Sequence, residues 1–103
     1  MKIQLEVKNS VYYLELVRQS FVELENKGYP VSKAADLPLG FNNALLYEAV
    51  KKGNPSLKDE EIKEVVDAIY NEYEETSIYE ALNALTSAVF TSTESKKKIV
   101  INK

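Results

Sequence analysis

The stretch Asn54-Pro55-Ser56-Leu57-Lys58-Asp59-Glu60-Glu61-Ile62 contains the clearest boundary between two helices in this sequence. Ser56 and Asp59 form an S-x-x-D signature of the kind that caps a helix start. Three consecutive acidic residues then suit the positive end of a helix dipole. The stretch therefore predicts a new helix that begins near Asp59.

The helix after this boundary carries a broad apolar stripe. Its spacing of three and four residues is that of one helix face, which is typical of an amphipathic helix packed on a core. The members of the stripe are Ile62, Val65, Val66, Ile69, Tyr70 and Tyr73. Ser77 and Glu80 then repeat the capping pattern, which predicts a last helix over residues 78–91.

Upstream of the boundary, apolar residues at helical spacing predict a helix over residues 42–52. Residues 36–40 are expected to form a loop, because Leu37 precedes a proline and Gly40 adds backbone freedom. Residues 18–27 are predicted to be helical and to end at Gly28.

The N-terminal residues alternate between polar and apolar side chains. Ile3, Leu5 and Val7 occupy every second position, which predicts a half-buried strand. Residues 11–17 are rich in β-branched and aromatic side chains, so a second strand would close a hairpin. One continuous helix over residues 11–27, capped by Ser10, fits the same residues and stays open as an alternative.

Together these elements predict an α+β fold that is mainly α. A short N-terminal β-hairpin precedes a bundle of about four helices. Residues 1–91 are expected to form a single domain, and residues 92–103 a flexible basic tail.

The composition favours binding over catalysis. The 103 residues include no cysteine and no histidine, which removes thiolate metal ligands and the commonest acid–base side chain. The three glycines do not have the spacing of a phosphate-binding loop. We therefore expect no enzyme activity, no metal and no cofactor, and we interpret the acidic clusters as helix starts and solvated faces.

The net charge of -3 is expected to repel nucleic acid and anionic membranes on average. No apolar run approaches the ~20 residues that cross a bilayer. The alternating N-terminus is also unlike the apolar region of a signal peptide. These features predict a cytoplasmic protein that binds neither nucleic acid nor membrane.

Several motifs resemble the tail assembly chaperones of long-tailed phages and prophages. They follow one another as R-x-x-x-x-E-L-E at residues 18–25, A-L-L-Y-E-A-V-K at 44–51, N-P-S-L-K-D-E-E-I at 54–62 and V-D-A-I-Y-N-E-Y at 66–73. The similarity extends to Thr91 and is strongest between residues 44 and 85. The motifs are helix and cap patterns of moderate specificity.

The resemblance implies a non-catalytic protein that binds the tape measure protein and helps to recruit tail tube protein. It places the protein in the host cell cytoplasm and not in the mature virion. It also suggests that Lys96-Lys97-Lys98 is encoded by a run of adenines at a ribosomal slippage site, and the gene sequence tests that hypothesis.

Candidate contact residues come from the apolar set, on the expectation that some of its members are exposed. The partner-binding candidates are Tyr47, Tyr70, Tyr73, Leu82 and Leu85. For Tyr70 and Tyr73 the sequence favours the edge of the core, where a ring is buried and its hydroxyl is wet, over a contact with a partner. The sequence leaves open whether the chain forms a homo-oligomer.

Two rival interpretations remain. A small acidic regulator, or a DNA-mimic inhibitor of a nucleic-acid-binding protein, would use a carboxylate face made of Glu60, Glu61, Glu64, Asp67, Glu72, Glu74 and Glu75. The modest net charge argues against it, because mimicry needs a denser field. A structural tail subunit is the other rival, and the shortage of long strands argues against a tube protein.

Overall fold

A β-hairpin followed by four helices makes up the computed structural model, which describes residues 1–91 and 97–102. The strands are β1 (Lys2–Val7) and β2 (Ser10–Glu15), and the helices are α1 (Arg18–Asn26), α2 (Pro38–Gly53), α3 (Asp59–Glu72) and α4 (Glu75–Thr91). A short 3-10 turn, Val31–Lys33, lies between α1 and α2. The predicted fold class, α+β and mainly α, is confirmed.

The hairpin resolves the ambiguity over residues 11–17 in favour of a strand. Its turn consists of Lys8 and Asn9, which both adopt positive φ, at 50° and 64°. A two-residue turn with two left-handed residues matches the twist of the flanking strands. Val7 pairs with Ser10 on either side of the turn, and the antiparallel register runs on to Lys2 opposite Glu15.

Helix α2 is the centre of the molecule and packs against β2, α1, α3 and α4. Its end lies so close to β2 that a Cβ added at Gly53 would overlap the carbonyl oxygen of Tyr13. Asn54 follows directly, and its side-chain amide accepts from the Tyr13 N–H at 3.1 Å and donates to the Tyr13 carbonyl at 2.8 Å. The Asn54 side chain therefore bonds the backbone of Tyr13 as a residue of a third strand would.

The core lies between the inner face of the hairpin and the apolar stripes of the helices. Its fully buried large side chains include Leu14, Leu24, Leu46, Ile62, Ile69, Leu82 and Leu85. The predicted stripe of α3 is buried along Ile62, Val65, Val66 and Ile69, and Tyr70 and Tyr73 complete it at the half-buried edge.

Two predicted helix starts and one predicted helix cap need correction. Helix α2 begins at Pro38 and not near residue 42, because proline fits the first helical position, where no N–H is needed. Helix α3 does begin at Asp59, but its cap is the Lys58 N–H donating to Glu61, and not the Ser56–Asp59 pair. Helix α4 begins at Glu75, which places Ser77 inside the first turn.

The predicted tail is described only in part. Residues 97–102 have no regular secondary structure and are exposed, whereas Lys96 and the rest of residues 92–96, with Lys103, lie outside the described residues. Within residues 1–91 and 97–102, the structure has no helix that is long and apolar enough to cross a membrane.

Candidate partner-binding surface

An apolar groove opens between α1, the 3-10 turn and the end of α4. Its walls are the side chains of Phe21, Val22, Val31 and Phe90, and its volume is about 410 Å³. Phe21 forms the buried floor, with its ring tilted against that of Phe90 at a centroid distance of 4.9 Å. Val22, Val31 and Phe90 are exposed to solvent. We call these four residues the α1–α4 groove.

Two charged side chains lie at the rim of the α1–α4 groove. Arg18 begins α1 and Glu25 lies near its end, so the groove is flanked by one positive and one negative group. An apolar centre with a polar rim is the usual anatomy of a protein-binding surface. The groove is therefore suited to hold apolar side chains of another chain.

Helix α1 is held in place by ionic contacts with α2. Lys27 Nζ lies 2.7 Å from Glu48 Oε2 and 4.6 Å from the centre of the Tyr47 ring. Lys51 reaches Glu23 at 3.5 Å. Glu48 is only 2% exposed, so its charge is held among the helices and not in water. These contacts fix the wall of the α1–α4 groove that α1 provides.

Glu48 and Glu23 interact with each other, and their pKa values move in opposite directions. Burial raises the pKa of Glu48, the interaction with the Glu23 carboxyl group raises it further, and Lys27 opposes that rise. The interaction with Glu48 lowers the pKa of Glu23, and Lys51 lowers it further.

Tyr47 lies away from the α1–α4 groove. It lines a separate depression of about 490 Å³ with Tyr29, Ala44 and Val66. Its hydroxyl donates to Asp59 at 2.9 Å, and burial with this bond raises the pKa of Tyr47 to about 12. The Tyr47 ring is half-buried and its hydroxyl joins α2 to the start of α3.

Tyr70 and Tyr73 are half-buried at the far end of α3. The Tyr73 hydroxyl donates to the Glu6 carbonyl at 2.8 Å and so ties α3 to the hairpin. Burial raises the pKa of Tyr70, with smaller contributions from Tyr79 and Glu75. The three candidate tyrosines therefore do not form one surface.

Leu82 and Leu85 require a correction, because both are 1% exposed. They lie on the buried side of α4, where their side chains fill the core. The expectation that they are exposed contact residues is wrong for this structure. Together with Ile78 they have the spacing of one helix face, which is typical of core residues.

The sequence reasoning missed the residues of the α1–α4 groove. Val22 and Phe90 each follow directly after a residue on the inner face of its helix, Phe21 in α1 and Val89 in α4. A large apolar side chain just outside the stripe of an amphipathic helix is the signal that could have revealed them. Val31 has no such signal, because its place depends on the turn after Gly28.

The acidic residues of the rival interpretation are all exposed, on α3, at Glu74 between α3 and α4, and at the start of α4. Within residues 1–91 and 97–102, no three acidic side chains are grouped closely enough to hold a metal ion.

Comparison of the chain with family models, with curated proteins and with solved structures finds no match.

Proposed function

We propose that this protein is a non-catalytic binding protein, a phage tail assembly chaperone that covers apolar segments of the tape measure protein. The observation that carries the proposal is the α1–α4 groove, whose exposed Val22, Val31 and Phe90 surround a phenylalanine floor. The identity of the partner rests on the resemblance of the motifs between residues 18 and 85.

The chemistry of the groove favours an apolar partner segment. Aromatic and aliphatic side chains at the centre of an interface supply most of its binding energy once water is excluded. Arg18 and Glu25 at the rim can meet charges of either sign, which would orient the segment. An amphipathic helix with one apolar face is the segment that suits such a groove.

The rest of the surface supports a solubilising role. Exposed carboxylates line α3 from Asp59 to Glu72, and the whole chain is negatively charged. A chaperone bound along a long apolar chain would give that chain an acidic coat, and like charges on neighbouring complexes resist aggregation. Recruitment of tail tube protein, residence in the host cytoplasm and absence from the mature virion belong to the same proposal.

The first test is the gene neighbourhood. The proposal expects a tail tube gene upstream and a very long gene, encoding the tape measure protein, downstream. The same reading of the gene shows whether the codons for Lys96-Lys97-Lys98 form an adenine run with an overlapping frame.

The second test is co-expression. The tape measure protein, produced alone, should be largely insoluble, and production with this protein should raise its soluble fraction several-fold and yield a purifiable complex. An unchanged soluble fraction with no complex would contradict the proposal. Binding to a DNA-binding protein that weakens steeply with salt would favour the acidic regulator instead.

A further inference from the structure

The outer edge of β1 has unpaired backbone groups. In an antiparallel hairpin, alternate residues direct their N–H and C=O groups away from the partner strand. Val7 pairs with Ser10 at the turn, so Lys2, Gln4 and Glu6 face outward. Two contacts agree with this assignment: Tyr73 donates to the Glu6 carbonyl, and Asn54 bonds both backbone groups of Tyr13, the residue opposite Gln4.

The two edges of the hairpin are therefore treated differently. The centre of the β2 edge is covered at Tyr13, where Gly53 and Asn54 contact its backbone. Among the described residues, the edge of β1 receives a bond only at the Glu6 carbonyl, which leaves the backbone of Lys2 and Gln4 free. An uncovered edge is a template for strand addition.

The inner face of β1 is also incompletely covered. Ile3 and Leu5 point toward the core yet stay half-buried, whereas Val7 and Leu14 are fully buried. Beside Leu5 lies an apolar cavity of about 140 Å³ whose walls include Ile69, Tyr73, Ile78 and Ala81. A strand added to β1 would place apolar side chains over Ile3, Leu5 and this cavity.

Residues 97–102, Lys-Lys-Ile-Val-Ile-Asn, have the pattern of such a strand. Ile99, Val100 and Ile101 are β-branched and largely exposed. In an extended segment, Ile99 and Ile101 share one face, while Lys98 and Val100 lie on the other.

We propose that residues 97–102 of one copy of this chain add as an antiparallel strand to the edge of β1 in a second copy. The register that aligns the apolar faces pairs Lys98 with Glu6, Ile99 with Leu5, Val100 with Gln4 and Ile101 with Ile3. This antiparallel register places the opposite charges of Lys98 and Glu6 side by side, whereas a parallel register would place Lys98 beside Lys2. This inference is independent of the proposed function.

Charge also favours this occupant. Residues 1–91 carry nine lysines and arginines against fifteen aspartates and glutamates, a formal charge of -6. Residues 92–103 carry four lysines and one glutamate, a formal charge of +3. A basic tail is attracted to the acidic residues 1–91. If two copies exchange tails, the β1 edge of each copy is paired by twofold symmetry.

The direction of the added strand indicates a second copy and not the same chain. The end of α4 lies at the Lys2 end of β1, since Met1 and Val89 line one pocket, whereas Ile78 near the start of α4 lies beside Leu5. The antiparallel strand starts at the Glu6 end. To form this strand, the same chain would have to run back along β1 and reverse direction before residue 98. The tail of a second copy can approach from the Glu6 end without such a reversal.

Sedimentation equilibrium of the full chain tests this inference. The apparent mass should rise from 11.7 kDa at low concentration to twice that value at high concentration. Ile99→Lys with Ile101→Lys should hold the mass at one chain, while Val100→Lys, on the other face, should still dimerise. Gln4→Pro should also abolish the dimer, because it removes an outward N–H that the added strand would bond. Circular dichroism should show the fold intact, because that N–H has no partner within the hairpin.

A charge exchange tests the register. Glu6→Lys and Lys98→Glu should each weaken the dimer, and the double variant should restore it. A chain that stays monomeric at every concentration, or a dimer that survives Ile99→Lys with Ile101→Lys, would overturn the inference. A monomer whose Gln4 amide gains protection from hydrogen exchange through residues 97–102 would identify the chain's own tail as the occupant and overturn it equally.

Discussion

Gly53 is the residue at which α2 and the hairpin approach most closely. A Cβ there would overlap the Tyr13 carbonyl oxygen, which is backbone and cannot rotate aside. Gly40, in the same helix, differs because an added Cβ would lie 3.2 Å from the Tyr29 ring, which can shift. Gly53 is therefore required by the lack of space beside β2, whereas the site of Gly40 can accept a larger residue.

Gly53→Ala should lower the free energy of unfolding by roughly 3 kcal/mol, because the helix must move away from β2. Gly40→Ala should change it by no more than about 1 kcal/mol, since the gain in helix propensity offsets the contact with Tyr29. Urea unfolding measures both. Equal losses in the two variants would show that close approach at Gly53 is not the cause.

Glu48 predicts how stability depends on pH. Its pKa in the native state lies above the ordinary value of 4.5, so the unfolded chain releases this proton first as pH rises. Stability due to Glu48 is complete below pH 4.5 and is lost as pH rises through the raised pKa. Glu23 acts in the opposite sense, because its lowered pKa removes stability only as pH falls below 4.5.

Glu48→Gln should remove the loss of stability as pH rises, because the titrating group is gone. It should keep the loss of stability at low pH, because Glu23 is retained. Urea unfolding of both proteins between about pH 4 and pH 8 measures the difference. The stability of the native sequence relative to Glu48→Gln should fall across that range. Parallel pH profiles would contradict the raised pKa of Glu48 in the native state.

At the scale of elements, Asn54 joins the hairpin to the end of α2. Its side chain bonds the N–H and carbonyl of Tyr13 and also donates to the Val50 carbonyl at 2.8 Å. Asn54→Ala should lower the free energy of unfolding by about 2 kcal/mol, because it leaves the edge of β2 without partners. Thermal unfolding measures the effect, and Asn83→Ala, at an exposed position of α4, serves as the control.

The sequence predicted elements where local pattern determines structure. Alternation at Ile3, Leu5 and Val7 identified β1, and the stripe from Ile62 identified α3. Helix starts were harder, because several residue types can satisfy the first N–H groups. Helix α2 begins with a proline, and Glu61 caps the start of α3, for which the sequence predicts the Ser56–Asp59 pair.

The α1–α4 groove could not be predicted by the same means. It combines α1, the turn at Val31 and the last residues of α4, which are far apart in sequence and meet only in the folded chain. Periodicity shows which residues share a helix face, and it does not show which faces remain uncovered. For that reason the sequence pattern suggests Leu82 and Leu85 as contact residues, although both belong to the core.

At the scale of the whole molecule, the described residues 1–91 include the α1–α4 groove and the edge of β1, two uncovered apolar features with different geometry. The α1–α4 groove suits the side chains of a helix, whereas the edge of β1 suits an extended segment with its own hydrogen-bonding groups. They lie on different elements, so the two proposals, a tape measure segment in the groove and the tail of a second copy on β1, do not compete for one surface. Loss of one interaction is expected to spare the other.

The most direct test of the central claim is the affinity of a short, soluble apolar segment of the tape measure protein for two matched variants. Val31 in the groove and Val11 on β2 are 51% and 49% exposed, so Val31→Glu and Val11→Glu add the same charge at equal exposure. Val31→Glu should weaken binding at least about tenfold, or 1.4 kcal/mol, and Val11→Glu should leave it nearly unchanged. Equal affinities in calorimetric titration, or a greater loss at Val11, would contradict the assignment of the groove.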